Sequence, residues 1–190
     1  MNDKKKEKIT IKQLKDIKPL ASELKRIYLE AYQDDYLYAY REPQRVKRYL
    51  KWLIKHADGG FWVAFVNDKP VGFIAIQPDC RFHGEIVPEI HELVVDPAHQ
   101  GRGIGKLLMQ KALDFLRKKG FSRVALWVGE RNEDAKRFYE KLGFRVTDRQ
   151  GAWLRMEKEL QTSSEKRSSS LSRTAKASTT SESSMISSGV

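Results

Sequence analysis

The segment that most constrains this chain runs from His91 to Gly105, HELVVDPAHQGRGIG, and continues unbroken into KLLMQKALDFLRKK. It reads as an apolar strand, a proline-marked turn, a glycine-rich loop and an amphipathic helix. Gly101, Gly103 and Gly105 alternate just ahead of that helix, which leaves backbone N–H groups without side-chain cover. Unpaired N–H groups at the positive end of a helix dipole bind phosphate oxygens. The segment is therefore expected to form a strand–loop–helix unit around a phosphate-bearing ligand.

Two common phosphate loops do not fit. A dinucleotide fingerprint G-x-G-x-x-G starting at Gly101 needs glycine where Lys106 stands. A Walker A loop needs Ser or Thr after Gly105-Lys106 and glycine at its start, where the chain has Leu107 and Gln100. The pattern that does fit is Q-x-x-G-x-G, through Gln100, Gly103 and Gly105. Downstream, after the strand-like run VALWV (124–128), the segment NEDAKRFYEKLGF follows N-x-x-A-x-x-F-Y-x-x-x-G-F, through Asn132, Ala135, Phe138, Tyr139, Gly143 and Phe144.

Together the two segments resemble the signature of the GNAT superfamily of acyl-CoA-dependent N-acetyltransferases, over roughly residues 60–146. The resemblance implies an α/β domain whose twisted, mixed and mostly antiparallel sheet of about seven strands is flanked by about four helices. It implies acetyl-CoA as co-substrate, with the pyrophosphate on the loop Gln100, Gly101, Arg102, Gly103, Ile104, Gly105 and Lys106. It also implies that two central strands splay apart and that the pantetheine arm inserts between them, against backbone groups of Leu93, Val94 and Val95, with Asn132 and Tyr139 alongside. Arg102 and Lys106 either add charge beside the phosphates or are solvated cations.

The periodicity places the elements independently of any resemblance. Leu24, Ile27, Tyr28, Ala31 and Tyr32 share one helical face, as do Val46, Tyr49, Leu50, Leu53 and Ile54 in a second helix that stops near Gly59-Gly60. FWVAFV (61–66), the turn NDKP and VGFIAI (71–76) read as a hairpin. Glu89 to Val95 is a further strand, counted after one at about Ile9 to Leu14. Ile104, Leu107, Leu108, Ala112, Phe115 and Leu116 form the expected core face of a third helix ending at Gly120. VALWV, a helix over 132–142, and the strands FRVTD and AWLRMEK complete an α/β domain over residues 9–160.

Acetyl transfer from a thioester to an amine requires a base for the amine, stabilisation of the oxyanion and an acid for the thiolate, and no metal. Glu89 lies eleven residues before Gln100, the spacing at which several members of the superfamily carry a general base. It is the first candidate, with an exposed strand-end carboxylate as the alternative. His91, on the same strand face by alternation, is a second base or a partner of Glu89, whereas Glu92 points the other way unless a bulge intervenes. Tyr139 is the candidate acid, because a phenol stays protonated at neutral pH; the alternative is a packed aromatic. Asn132 suits a helix N-cap as well as a pantetheine contact. His91-Glu92 does not extend to a zinc motif H-E-x-x-H, since Val95 holds the last position.

Composition bounds the rest. The single cysteine, Cys80, excludes an internal disulfide and a cysteine-only zinc site, and direct transfer gives it no role. No run of eighteen apolar residues and no signal-like N-terminus occur, so a cytoplasmic protein without membrane attachment is expected. Of the net charge of +11, residues 1–8 carry +2 and residues 161–190 carry +2, leaving +7 on the domain. That charge suits CoA phosphates or a solvated surface, and nucleic acid is not expected as the direct partner, although a basic nucleic-acid-associated protein or a non-catalytic CoA-binding module is the rival class. A homodimer is left open. The acceptor amine is not written in the sequence. Five residues before Asn132, where the ribosomal-protein alanine type carries glutamate, stands Trp127. Tyr32, Tyr36, Tyr38 and Tyr40 beside Asp34-Asp35 suit a cationic amine such as a polyamine or lysine, or simply form the polar end of a helix.

Residues 1–8 read as a flexible basic arm and residues 161–190 as a disordered Ser/Thr-rich tail with few apolar groups. A chain ending at Leu160 is accordingly expected to melt within about 2 °C of the full-length protein in differential scanning calorimetry; a larger drop would mean that the tail docks on the domain.

Overall fold

The computed structural model describes residues 7–33 and 38–161. Residues 1–6 of the basic arm, the tail beyond Gln161, and residues 34–37, with Asp34, Asp35 and Tyr36, lie outside the described residues.

The chain opens with strand β1 (Ile9–Gln13), followed by helices α1 (Ala21–Ala31) and α2 (Pro43–His56). A hairpin of β2 (Phe61–Val66) and β3 (Lys69–Gln77) leads to a two-residue-strand hairpin, β4 (Arg81–Phe82) and β5 (Glu85–Ile86). Then come β6 (Glu89–Val95), α3 (Ile104–Lys118), β7 (Arg123–Gly129), α4 (Glu133–Lys141), β8 (Arg145–Gln150) and β9 (Trp153–Glu159). Seven strands form one sheet in the order β1-β2-β3-β6-β7-β9-β8. Every neighbouring pair is antiparallel except β6 and β7. The α/β class, the seven-stranded sheet and the four helices agree with the sequence reading. Among the described residues no helix is long and apolar enough to cross a membrane.

The sheet carries a core on each face. On one face α1 and α2 bury Leu24, Ile27, Val46, Leu50 and Leu53 against Phe61, Val63, Phe73 and Val94. On the other, α3 buries Ile104, Leu108, Met109, Ala112, Leu113 and Leu116 against Ile74, Ile76, Ile90, Val124 and Leu126. These central strands are buried on both sides, which is why FWVAFV and VGFIAI read as continuous apolar runs rather than as alternations.

Three expectations are corrected. Leu107, assigned to the core face of α3, is 44 % exposed. The buried stripe is centred on Leu108, Ala112 and Leu116 and extends toward Met109 and Leu113, so Leu107 falls on its outer flank. The β2–β3 turn is Asn67-Asp68 alone, both at positive φ, as a two-residue primed turn requires. Lys69 and Pro70 therefore belong to β3, with Pro70 opposite Phe65 where a register shift relieves the pairing. The β4–β5 hairpin was not anticipated, although His83-Gly84, again both at positive φ, is its turn.

Two geometrical features position the site. The parallel strands β6 and β7 pair at Glu89↔Ala125 and Ile90↔Leu126 and, among the described residues, nowhere else, so beyond those pairs the sheet opens. Within β6 the register against β3 passes from Ile76↔Ile90 to Ala75↔Glu92, leaving His91 as the extra residue of a β-bulge. The bulge reverses the alternation: Ile90, Leu93 and Val95 pack with the α3 core, Val94 with the α1/α2 core. Glu89, Leu93 and Val95 thus do not share one face, contrary to simple alternation.

Leu108→Ala, at a fully buried position, is expected to lower the unfolding free energy by about 2–5 kcal/mol, and Leu107→Ala by no more than about 0.5 kcal/mol. Urea denaturation of the two variants checks the assignment of the helix face; equal losses would contradict it.

Candidate active site

The glycine-rich loop takes the conformation that the residue types allow. A short 3-10 turn at Pro97–His99 is capped by Asp96, whose side chain accepts from the Ala98 amide at 3.0 Å. Gly101 and Gly103 have φ of +71° and +78°, a region costly for a residue with Cβ. Gly103 is the N-cap of α3, and the first carbonyl of the helix to be used is its own, by the Leu107 amide at 3.0 Å. The amides of Ile104, Gly105 and Lys106 consequently have no carbonyl partner within the helix. Gln100 Nε2 donates to the Val95 carbonyl at 3.1 Å, tying the loop to the end of β6. Arg102 is ion-paired with Glu7.

These amides face a cavity of about 520 Å³, lined by Gly101, Gly103, Gly105 and Lys106 on one side and Phe138 and Tyr139 on the other. It shares Leu93, Val95, Gln100, Ala135 and Tyr139 with a smaller cavity of about 190 Å³ that lies between the separating strands and also reaches Tyr32, Asn132, Trp127 and Trp153. Trp127 and Trp153 in turn line a cavity of about 300 Å³ with Glu89, His91 and Gln150. His91 belongs as well to one of about 680 Å³ walled by Tyr40, Arg45, Arg48, Tyr49 and Trp52. Through shared lining residues the four spaces form a row, a segmented trough with the loop at one end and an aromatic surface at the other.

Asn132 fulfils its capping role, its Oδ1 accepting from the Ala135 amide at 3.0 Å, while still lining the trough. Tyr139 packs against Phe138 and Phe144. Among the described residues no group accepts its hydroxyl proton. Burial, with the Glu92 carboxylate nearby, holds this phenol above its usual range, so it stays protonated at neutral pH.

The bulge gives the two carboxylates of β6 different surroundings. Glu89 is 8 % exposed; its Oε2 accepts from Arg155 Nη1 at 3.0 Å and from Trp127 Nε1 at 3.2 Å. Arg155 is fully buried, bonds Glu157 at 2.9 Å and lies 3.8 Å from the centre of the Phe82 ring. Glu89 Oε1 stands 3.3 Å from His91 Nδ1. Burial, partly offset by Glu89, holds the His91 imidazole below its usual pKa. Glu92 is 6 % exposed, and among the described residues burial, not a paired cation, dominates its surroundings. It accepts from the Tyr32 hydroxyl at 2.6 Å, and burial pushes it up to about 7 against the opposing hydrogen bonds of Tyr32 and Tyr49.

The sequence profile of the acetyltransferase (GNAT) family matches residues 21–144. The chain belongs to this family. An uncharacterised N-acetyltransferase of Methanocaldococcus jannaschii is 43 % identical over 138 residues, an alignment spanning 70 % of this chain and 60 % of that relative. A crystal structure from Pyrococcus horikoshii OT3 is 41 % identical and superposes with a TM-score of 0.74, covering 81 % of this chain and 99 % of the other. The PaiA N-acetyltransferase of Thermoplasma acidophilum, crystallised with coenzyme A, is 26 % identical with a TM-score of 0.66, over 80 % of this chain and 99 % of that one.

Of the residues expected at a GNAT site, the structure gathers Gln100, Gly101, Gly103, Ile104, Gly105, Lys106, Leu93, Val95, Asn132 and Tyr139 along the trough, and Glu89 and His91 at its far end. Val94 lines the middle cavity, and Arg102 stands beside the loop, paired with Glu7. Sequence reasoning gives Tyr32 only to the acceptor wall, turns Glu92 away from the site unless a bulge intervenes, and gives Tyr49 only to a helix face; the bulge at His91 brings the three together. Their signal was the helical spacing of Tyr32 and Tyr49 on core faces together with an acid in an apolar strand.

At Gly103 a Cβ meets no atom within 4 Å, so Gly103→Asp strains the backbone through its positive φ and sets a carboxylate beside the unpaired amides. The variant is expected to bind CoA at least about 2 kcal/mol more weakly, as measured by calorimetry. Unchanged affinity in a folded variant would remove the loop from the binding site.

Proposed function

We propose that this protein is an N-acetyltransferase that moves the acetyl group of acetyl-CoA directly to a primary amine. The observation that carries this reading is the row of cavities, along which the glycine-rich loop, a protonated phenol and Tyr32, hydrogen-bonded to the buried Glu92, follow one another beside two diverging strands. The CoA-bound Thermoplasma relative supports the same co-substrate.

In this reading the pyrophosphate rests on the amides at the start of α3, and the pantetheine arm runs along β6, where backbone groups of Leu93, Val94 and Val95 face the gap left by β7. The amine approaches from the aromatic end. Its lone pair attacks the thioester carbonyl, and the oxyanion is held by backbone N–H groups of the opened strand. The amine proton passes to the Tyr32 hydroxyl, which lines the trough, while the Tyr32 proton passes to Glu92. Collapse of the intermediate breaks the C–S bond, and Tyr139 protonates the thiolate. The products are the amide and free CoA; Glu92 releases its gained proton to solvent, and the Tyr139 phenolate takes one back from solvent, which restores both groups. The path runs through Glu92 rather than Glu89 because Glu89 Oε2 is already bonded by Arg155 and Trp127, whereas Glu92 is bonded by the Tyr32 hydroxyl that lines the trough.

A screen of primary amines with acetyl-CoA and thiol detection tests the reaction. Acetyl-CoA binding without turnover on any amine would favour the non-catalytic module. On an accepted amine, Tyr139→Phe and Glu92→Gln are each expected to lower kcat by about 10²–10⁴-fold with little change in acetyl-CoA affinity. Glu89→Gln is expected to act first on stability, by about 1–3 kcal/mol, because it removes one of the two carboxylates paired with the buried Arg155 and leaves only Glu157. If Tyr139→Phe stays within about twofold of the parent, the acid lies elsewhere; if Glu89→Gln abolishes turnover at unchanged stability, Glu89 is the base.

A further inference from the structure

The far end of the trough holds a group of side chains that lies off the proton path drawn above. Among the described residues, Cys80, Glu89 and His91 form the one set of three potential ligands whose donor atoms all lie within 4.8 Å of one another. Cys80 reaches this point from the loop after β3, Glu89 from the start of β6 and His91 from the bulge.

The hydrogen bonds around His91 determine what it presents to the other two. Gln77 Nε2 donates to Asp79 Oδ1 at 3.1 Å, which turns Gln77 Oε1 toward His91 Nε2 at 3.0 Å. That oxygen can only accept, so Nε2 carries the ring proton, and Nδ1 of the neutral imidazole is a bare lone pair. The lone pair faces Glu89 Oε1, itself an acceptor, at 3.3 Å. Two acceptors face each other here, with a thiol alongside, and the arrangement calls for something positive between them. A proton on the ring would serve Glu89 and His91 but leave Cys80 unexplained. A metal ion serves all three. The chain Asp79–Gln77–His91 also has the polarity found behind metal-bound histidines, whose second ring N–H donates to a fixed oxygen. Arg155 holds the other oxygen of Glu89 and divides its charge between Glu89 and Glu157, so Oε1 is left free.

We propose that Cys80 Sγ, Glu89 Oε1 and His91 Nδ1 form a three-ligand site for a borderline-soft divalent cation, Zn²⁺ foremost, with its fourth position open to the cavity lined by Trp127, Gln150 and Trp153. Thiolate, imidazole and carboxylate together select Zn²⁺ over Mg²⁺ or Ca²⁺. Bonds of about 2.0–2.3 Å to a tetrahedral ion set its donors about 3.3–3.8 Å apart. The Glu89–His91 pair already has that separation, and the thiol needs to move by no more than about 1.5 Å to reach it. Binding displaces the thiol proton to solvent, and no electron is transferred. The ion would clamp the Cys80 loop, and the β4–β5 hairpin that follows it, onto β6. This proposal does not rest on the acetyltransferase reading.

Cobalt reports the site directly. Metal-free, full-length protein under reducing conditions, titrated with Co²⁺, is expected to develop a thiolate-to-cobalt charge-transfer band and the intense visible bands of a tetrahedral centre. Both should saturate at one ion per chain and be abolished by Zn²⁺. Cys80→Ala and the isosteric Cys80→Ser should lose the charge-transfer band and bind at least about 100-fold more weakly. Gln77→Leu should keep the band and bind about 10–100-fold more weakly. Melting temperatures measured without metal identify any variant that fails to fold, and Cys80→Ser then stands in for Cys80→Ala. Absence of the band in the parent protein, or equal Co²⁺ affinity in a folded Cys80 variant, would overturn the proposal.

Discussion

The parallel strands β6 and β7 share two residue pairs and then part, and the remainder of the site depends on that separation. Adjacent strands normally satisfy each other's peptide groups, so a sheet that opens leaves donors and acceptors facing empty space. Here the opening is held by what lies on either side. α3 and α4 brace one face of the sheet, α1 and α2 the other, and the β8–β9 hairpin continues the sheet beyond β7. The gap therefore cannot close without breaking two cores. It becomes a trough whose walls are backbone, with the amides of a helix N-terminus at one end and aromatic side chains at the other.

Within that frame a single extra residue redistributes the electrostatics. Without the bulge at His91, Glu89 and Glu92 would lie on opposite faces of β6. With it, both turn toward the side of α1 and α2, into different company. Glu89 meets a buried arginine and an indole N–H, which hold the carboxylate in place. Glu92 meets tyrosine hydroxyls and apolar side chains, and no cation offsets the cost of its desolvation. Two glutamates three residues apart thus have quite different partners. Burial, together with the Glu92 charge, keeps the Tyr139 phenol protonated.

Much of the domain was legible in the sequence. Helices α1 to α4 and the seven strands of the main sheet follow from apolar periodicity, and the cofactor loop from three glycines ahead of an amphipathic helix, because these signals are local: a residue's neighbours along the chain are its neighbours in the element. The misreadings share the opposite cause. The side of α3 on which Leu107 falls depends on how the helix is rotated against the sheet. The β4–β5 hairpin is too short to show a period. The alternation in β6 is interrupted by a bulge that no residue type in HELVV announces.

The sequence by itself determined the α/β class, the order of its elements and the family, and with them the glycine-rich loop ahead of α3, since those depend on spacing within one segment. Only the tertiary structure decided which carboxylate is paired with a buried cation and which with tyrosine hydroxyls, and that Cys80 meets Glu89 and His91. Each of those pairings joins residues from different elements, and their protonation and hydrogen bonding follow from burial and from partners brought together across the fold.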